Sequence, residues 1–239
     1  MNINLEHHLK TFLEQENKLF YSEAGFQHNF AVYLKKYGYD VLFEIPIKVY
    51  DYNDQQVTQK VDLIILKNNQ VTFIELKYKT KQQVVGLFNN KHYELKDQGA
   101  ISDNSAAFIK DISRLERIRD QFGQLPEFVK NGEQYNFNGA YAIFLTNSFS
   151  YVRDKTRKGK QNGEGVGYDD VRLTRKISKK GKLCVNKKEY AIVNNSYDLV
   201  WRKISNKKIH DVEFEYDGLI ENRDEDLLYY LIVDLNKKY

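Results

Sequence analysis

The stretch VDLIILKNNQVTFIELKY, residues 61–78, decides how this chain is read. Two apolar, β-branched runs flank the polar centre Lys67-Asn68-Asn69-Gln70, the pattern of a tight hairpin. A turn centred on Asn68-Asn69 pairs Leu66 with Val71, Ile64 with Phe73 and Asp62 with Glu75. Residues opposed on one face of such a ladder have Cβ atoms roughly 4.5–5.5 Å apart, so two carboxylates are set side by side. The period of two puts Lys77 on that same face. The other positions, Val61, Leu63 to Leu66, Val71, Phe73, Ile74 and Leu76, are apolar on both faces. Both strands are therefore expected inside a sheet.

Working outward, Asp40 to Tyr50 is β-rich and interrupted by Pro46, which predicts an edge or bent strand. With the hairpin it makes a three-strand meander. Two helices precede it. Leu5 to Phe20 carries apolar residues at helical spacing, and a second helix follows Ser22 as N-cap through Phe26, Phe30, Tyr33, Leu34 and Tyr37 to Gly38. Downstream, Thr80–Ser102 has little pattern, and Asp103 is expected to cap a helix running to Gly123. The apolar run Gly139–Thr146 then reads as a buried strand reached by a crossover. Tyr197–Ile204, Val212–Tyr216 and Tyr229–Leu235 read as closing strands. The expectation is one α/β domain over 1–239, a mixed central sheet flanked by helices.

Two opposed carboxylates repel unless a proton or a cation lies between them. Mg²⁺ is suited to such a place because it takes one or two carboxylates together with water and substrate oxygens. Lys77 beside it supplies a cation to orient or help deprotonate an attacking water and to offset phosphate charge. Glu23 borders the core-facing stripe of the second helix, one turn before Gln27, where a carboxylate can reach the end of a sheet. The bland alternatives are a surface ion pair for Lys77, worth little, and a helix-dipole role for Glu23. A surface pair does not account for the apolar flanks. By the same reasoning Asp111, Arg114 and Glu116 read as a solvated or ion-paired helix face.

Net charge is only +4, yet residues 151–183 carry eleven Lys or Arg against four acids, leaving the rest of the chain net negative. This basic, Gly-containing segment (about 147–183, with Arg153, Lys155, Arg157 and Lys158) is expected to be loop-rich and able to follow a phosphate backbone. Tyr151 and Tyr168 within it are weak candidates for stacking on bases. Lys79 and Lys81, just past the hairpin, are better placed for phosphate contact. A lone Cys184 rules out an intramolecular disulfide and a multi-cysteine zinc site, and the five His show no zinc-ligand spacing. The polar start has no signal-peptide or membrane-spanning block, so a reducing, cytoplasmic setting without membrane contact is expected.

The order Glu23, Asp62, Glu75-Leu76-Lys77 over helix, strand, turn and strand resembles the PD-(D/E)XK nuclease superfamily. Weaker likenesses in residues 111–116, 145–147, 197–201 and 230–234 extend the resemblance, to a largely uncharacterised bacterial branch, over most of the chain. It implies a restriction-endonuclease-like αβββαβ core, Mg²⁺ or Mn²⁺ dependence and cleavage of DNA phosphodiesters. On this resemblance Asp62, Glu75, Lys77 and Glu23 are catalytic, and the Leu76 carbonyl joins Asp62 and Glu75 as a metal ligand. Val61 stands where the family's namesake Pro would be, which removes no ligand. A homodimer would suit double-strand cleavage. The competing reading is a nucleic-acid-binding module that keeps the fold without cleaving.

Overall fold

A computed structural model describes residues 3–16, 20–88, 91–98, 100–130, 132–152, 173, 176–177, 181–186, 189–204 and 228–236. The elements run α1 (Leu5–Glu16), α2 (Glu23–Lys36), β1 (Asp40–Tyr50), β2 (Gln56–Lys67), β3 (Gln70–Lys79), β4 (Gln83–Phe88), β5 (Lys91–Leu95) and α3 (Ile101–Gln121). There follow β6 (Val129–Lys130), β7 (Glu133–Gln134), β8 (Asn136–Thr146), α4 (Phe149–Val152), β9 (Lys176–Ile177), β10 (Gly181–Asn186), β11 (Glu189–Val193), β12 (Tyr197–Asp198), β13 (Trp201–Lys203) and β14 (Tyr229–Asp234). The main sheet is six-stranded in the order β1-β2-β3-β8-β14-β13. It is mixed: β3 and β8 are parallel and the other neighbours antiparallel. A parallel pair needs a long connection, and α3 lies in it.

Local chemistry explains the helix and turn boundaries. Ser22 Oγ accepts the Gly25 N–H at 3.0 Å, capping α2 as expected, and Gly38 leaves that helix at φ +75°. Asn68 and Asn69 take φ +50° and +56° in the β2–β3 turn, a conformation Asn tolerates and a type I′ hairpin requires. The ladder then runs Lys67↔Gln70, Leu66↔Val71, Ile64↔Phe73 and Leu63↔Ile74, the register expected from the turn. It stops one pair short of Asp62 and Glu75.

The reason lies in β1, which is the edge strand and is bent. Glu44 adopts φ +48°, between the pairs Phe43↔Leu63 and Ile45↔Val61. Val41, Leu63 and Ile65 pack on the α1–α2 side, whereas Ile47, Val49 and Val61 pack on the α3 side. The β1–β2 pair therefore switches faces at Glu44 and Asp62, as a bulge would make it. Glu44 points into solvent, 4.0 Å from Lys60.

Each sheet face carries its own apolar layer. Leu9, Phe12, Phe26, Phe30, Ile74, Leu76, Tyr78 and Leu145 form one, under α1 and α2. Ile64, Phe73, Phe108, Ile112, Leu115, Phe144 and Leu231 form the other, under α3. Every one is at most 1% exposed, and each such side chain contributes roughly 1.5–3 kcal/mol of burial.

Several boundaries differ from the sequence reading. The helix α1 is described over Leu5–Glu16, residues 17–19 lie outside the described residues, and Phe20 is not helical. Ala100, at φ +60°, is the N-cap of α3 without a side-chain bond, and Asp103 instead sits in the first turn, where it complements the dipole. The helix ends at Gln121, and residues 122–124, Gly123 included, form a 3-10 turn before Pro126. The hairpin β4–β5 occupies a stretch the sequence left unassigned. Val212–Tyr216 and most of the basic segment lie outside the described residues. Tyr151 is 4% exposed, its hydroxyl accepting from Asn104, so it offers no face for base stacking. Among the described residues no helix is long and apolar enough to cross a membrane.

His8 is half-buried rather than on the surface. Its ring meets those of Tyr33, Tyr37 and Tyr39 edge-on, with centroids 5.1–6.0 Å away. Burial, then His7 and Lys67, hold its pKa below the ordinary 6.5. The unfolded chain thus binds the proton more readily than the folded one below that value. Stability is fully present above pH 6.5 and falls as the pH drops from there toward the lowered folded value. The urea midpoint is expected to fall between pH 7.5 and pH 5, and His8→Phe, which keeps an aromatic ring and cannot titrate, is expected to reduce that fall. An unchanged acid response in the variant would remove His8 from the account.

Candidate active site

The face switch at Glu44 and Asp62 leaves Asp62 without a partner in either neighbouring ladder. Its Oδ2 instead accepts the Leu76 N–H at 2.7 Å, and its backbone carbonyl accepts from Gln27 Nε2 of α2 at 2.6 Å. Among the described residues Oδ1 has no hydrogen bond or ion pair. Glu75 and Lys77 follow Phe73 on the α3 side of β3. The parallel register sets Ala142 of β8 beside Glu75. So small a neighbour leaves room above the carboxylate.

Arg114 of α3 fills it. Nε donates to Glu75 Oε1 at 2.8 Å, and Nη2 lies 2.7 Å from Glu75 Oε2 and 2.7 Å from Asp111 Oδ1. Lys77 Nζ lies 3.4 Å from Asp111 Oδ2 and 3.9 Å from Glu23 Oε1. Asp111 Oδ2 is buried, and Lys77 faces it as an ion-pair partner. Glu23 Oε2 accepts the Tyr78 N–H at 2.8 Å and stands 3.9 Å from Lys79 Nζ. One centre thus gathers Glu23, Asp62, Glu75 and Asp111 with Lys77, Lys79 and Arg114, four carboxylates against three cations.

Burial governs the electrostatics. Glu75 is 1% exposed; burial pushes its carboxyl well above the usual range, Arg114 opposes this, and Asp62 and Asp111 add to it. Asp111 is raised by burial too, against Lys77 and Arg114. For Lys77, burial works downward, but Asp111, Glu23 and Asp62 outweigh it and hold the ammonium above its ordinary value. Acid protons are retained where negative charge is in excess. A further cation would relieve that excess.

The donors are all hard oxygens, the chemistry of a Mg²⁺ site, and among the described residues Asp62 Oδ1 is a carboxylate oxygen with unused acceptor capacity. Asp62 and Glu75 fit an ion held by two carboxylates and water. Among the described residues no group of three or more His, Cys, Asp or Glu is arranged to hold a metal, and Arg114 covers both Glu75 oxygens. An ion at Asp62 and Glu75 has to share Glu75 with that guanidinium.

The sequence-predicted residues Glu23, Asp62, Glu75, Lys77 and Lys79 are brought together. The Lys81 side chain is exposed, and its N–H donates to Asn147 Oδ1 at 2.7 Å, which ties the end of β3 to the end of β8. Arg153, Lys155, Arg157 and Lys158 lie outside the described residues. Of the two alternatives for Asp111 and Arg114, a solvated or an ion-paired face, the ion-paired one holds: Asp111 is buried, Arg114 is half-buried, and the two are paired with each other. Asp111 lies four residues before Leu115 and three after Phe108, within the apolar stripe, and that spacing was the available signal. Glu116 is also buried, for a separate reason argued below.

No protein-family model, curated protein or solved structure matches this chain.

Proposed function

We propose that this chain is a divalent-metal-dependent nuclease of the restriction-endonuclease-like PD-(D/E)XK kind, hydrolysing phosphodiester bonds of DNA. The observation that carries the reading is the Asp62 carboxylate on the Leu76 N–H, beside buried Glu75 and with Lys77 on the same strand face. With the separate hairpins β4–β5 and β6–β7 set aside, α2, the main-sheet strands β1, β2 and β3, α3 and β8 follow in the αβββαβ order of that fold class, which supports it.

In this reading Asp62, Glu75 and the Leu76 carbonyl hold Mg²⁺ or Mn²⁺. When bound, the ion supplies Lewis-acid stabilisation of charge on the scissile phosphate and makes water a better nucleophile. Lys77 keeps its proton between Asp111 and Glu23 and so acts through charge, orienting water and phosphate rather than accepting a proton. Glu23 fixes Lys77 and Lys79 together and anchors them to the Tyr78 N–H. Gln27 holds the backbone of Asp62.

One observation favours a second reading, a nucleic-acid-binding module that does not cleave: Arg114 already neutralises Glu75 with a two-pronged grip. Incubation with supercoiled, linear and single-stranded DNA in Mg²⁺, Mn²⁺ or EDTA separates the two. Metal-dependent cleavage is expected. A folded protein that binds DNA but neither cleaves it nor takes up metal in calorimetry would leave only the second reading.

A further inference from the structure

A cleft of about 420 Å³ opens on the outer side of α3. Lys110, Arg114 and Arg117 line it at i, i+4 and i+7, one stripe of the helix, and Lys60 and Gln59 of β2 and Tyr52 form much of the opposite wall. No carboxylate is among the described residues that line it. Arg114 is common to this cleft and to the active site, since its guanidinium also grips Glu75. The two spaces therefore meet at one side chain.

Arg117 is the unusual member. It is half-buried, and among the described residues it makes no ion pair with a carboxylate. Among the described residues its buried Nε has no hydrogen-bond partner, and its guanidinium lies over the Tyr52 ring, 5.4 Å from the centroid. Gln59 Oε1, in the same cleft, is likewise buried without a hydrogen-bond partner among the described residues. A partly desolvated guanidinium next to another guanidinium is costly unless an anion joins them. Burial depresses its pKa and the Arg114 charge adds to this, against Tyr52 and Asp51.

We propose that this cleft seats the phosphodiester backbone of the nucleic-acid substrate as it leaves the active site, with Arg117 and Lys60 contacting phosphate and Tyr52 contacting sugar or base. The inference rests on the nuclease reading and adds the path of the strand. It places the phosphate contacts on α3 and β2, in addition to the basic segment that sequence alone singles out. The contacts are to the backbone, so binding is expected to be independent of base sequence and sensitive to salt.

The test is binding of fluorescein-labelled duplex DNA of arbitrary sequence in EDTA, where metal-dependent cleavage is suppressed, over a salt series. Arg117→Ala and Lys60→Glu are each expected to weaken binding about tenfold and to lower the salt slope by about one phosphate contact. Lys60 is 68% exposed, so its variant tests the cleft without threatening the core. Lys10→Ala, on the far helix α1, is expected to bind as wild type. Wild-type binding by both cleft variants, or no binding by the wild-type protein, would overturn the proposal. Cleavage by wild type in Mn²⁺ is scored separately. Its absence, with binding lost in the cleft variants, would sink the nuclease reading and leave the cleft standing. Its presence, with binding unchanged in those variants, would do the reverse.

Discussion

Asp62→Asn is expected to lower metal-dependent DNA cleavage by about 10²–10³-fold or more, the scale on which a preorganised charge acts on a developing one. Asn is nearly isosteric and keeps an oxygen to accept the Leu76 N–H, so the variant removes charge while preserving the local backbone contact. Lys77→Met is expected to cost a similar factor by another route. It removes the cation between Asp111 and Glu23 and leaves Asp62 and Glu75 in place. Calorimetry with Mn²⁺ tells the two apart: Asp62→Asn loses metal binding, and Lys77→Met retains it. The double variant is expected to be little worse than either single one, because residues acting as a unit are not additive. Single-turnover cleavage, with circular dichroism as the control for folding, makes the measurement. Full activity in either variant would exclude that side chain from the chemistry.

The hairpin register was legible because a two-residue Asn-Asn turn leaves one way to pair the flanking strands, and a slip would turn every apolar side chain to the wrong face. That is why Ile64↔Phe73 and Leu66↔Val71 follow from counting. The same count did not foresee that the ladder ends before Asp62. The cause is the left-handed backbone of Glu44 on the neighbouring strand, a conformation that no period-two pattern announces. Pro46 gave warning of a bend, though it lies two residues beyond the one that turns. The gathering of Asp62 with Glu75 survives because both face α3 even where regular pairing fails.

Side chains contributed by α3 were harder to read. A carboxylate or guanidinium on a helix looks solvated until the charges brought from distant strands are known. Asp111 is buried and Arg114 half-buried because Glu75 and Lys77 meet them there, some 35 residues away in sequence. The β4–β5 hairpin escaped for a different reason: Gln83–Phe88 is short, holds a glycine and lacks clean alternation, and weak β-propensity is easily overridden by context. Arg117 shares a helix stripe with Lys110 and Arg114, but the sequence does not show that among the described residues it has no ion pair with a carboxylate.

Glu116→Ala is expected to destabilise the fold by about 3 kcal/mol, at the lower end of what breaking a buried charged network costs. Glu116 is fully buried, and its carboxylate is a hub rather than a surface charge. It accepts the backbone N–H groups of Asn194 and Asn195 at 2.7 and 3.0 Å, Asn195 Nδ2 at 2.9 Å and the Tyr197 hydroxyl at 2.6 Å. These donors belong to the link between β11 and β12 and to the first residue of β12, which α3 therefore holds by one side chain. Alanine takes the acceptor from the buried hydroxyl, leaving it Arg119 alone, and leaves two backbone donors to find water, each loss worth about 1–3 kcal/mol before relaxation. Glu116→Gln keeps a carbonyl oxygen but points an amide at donors, so an intermediate loss is expected. Urea unfolding at neutral pH measures both, and an alanine variant within about 0.5 kcal/mol of wild type would mean the loop rehydrates freely, as surface sites do. The effect should extend to function. Ile192 at the end of β11 accepts from Ser113 and from Tyr52, and so closes the floor of the cleft that Arg117 lines. Loosening β11 frees Tyr52 from that position. Nucleic-acid binding in EDTA should therefore weaken in Glu116→Ala even where the protein remains folded, whereas metal binding at Asp62 should not change.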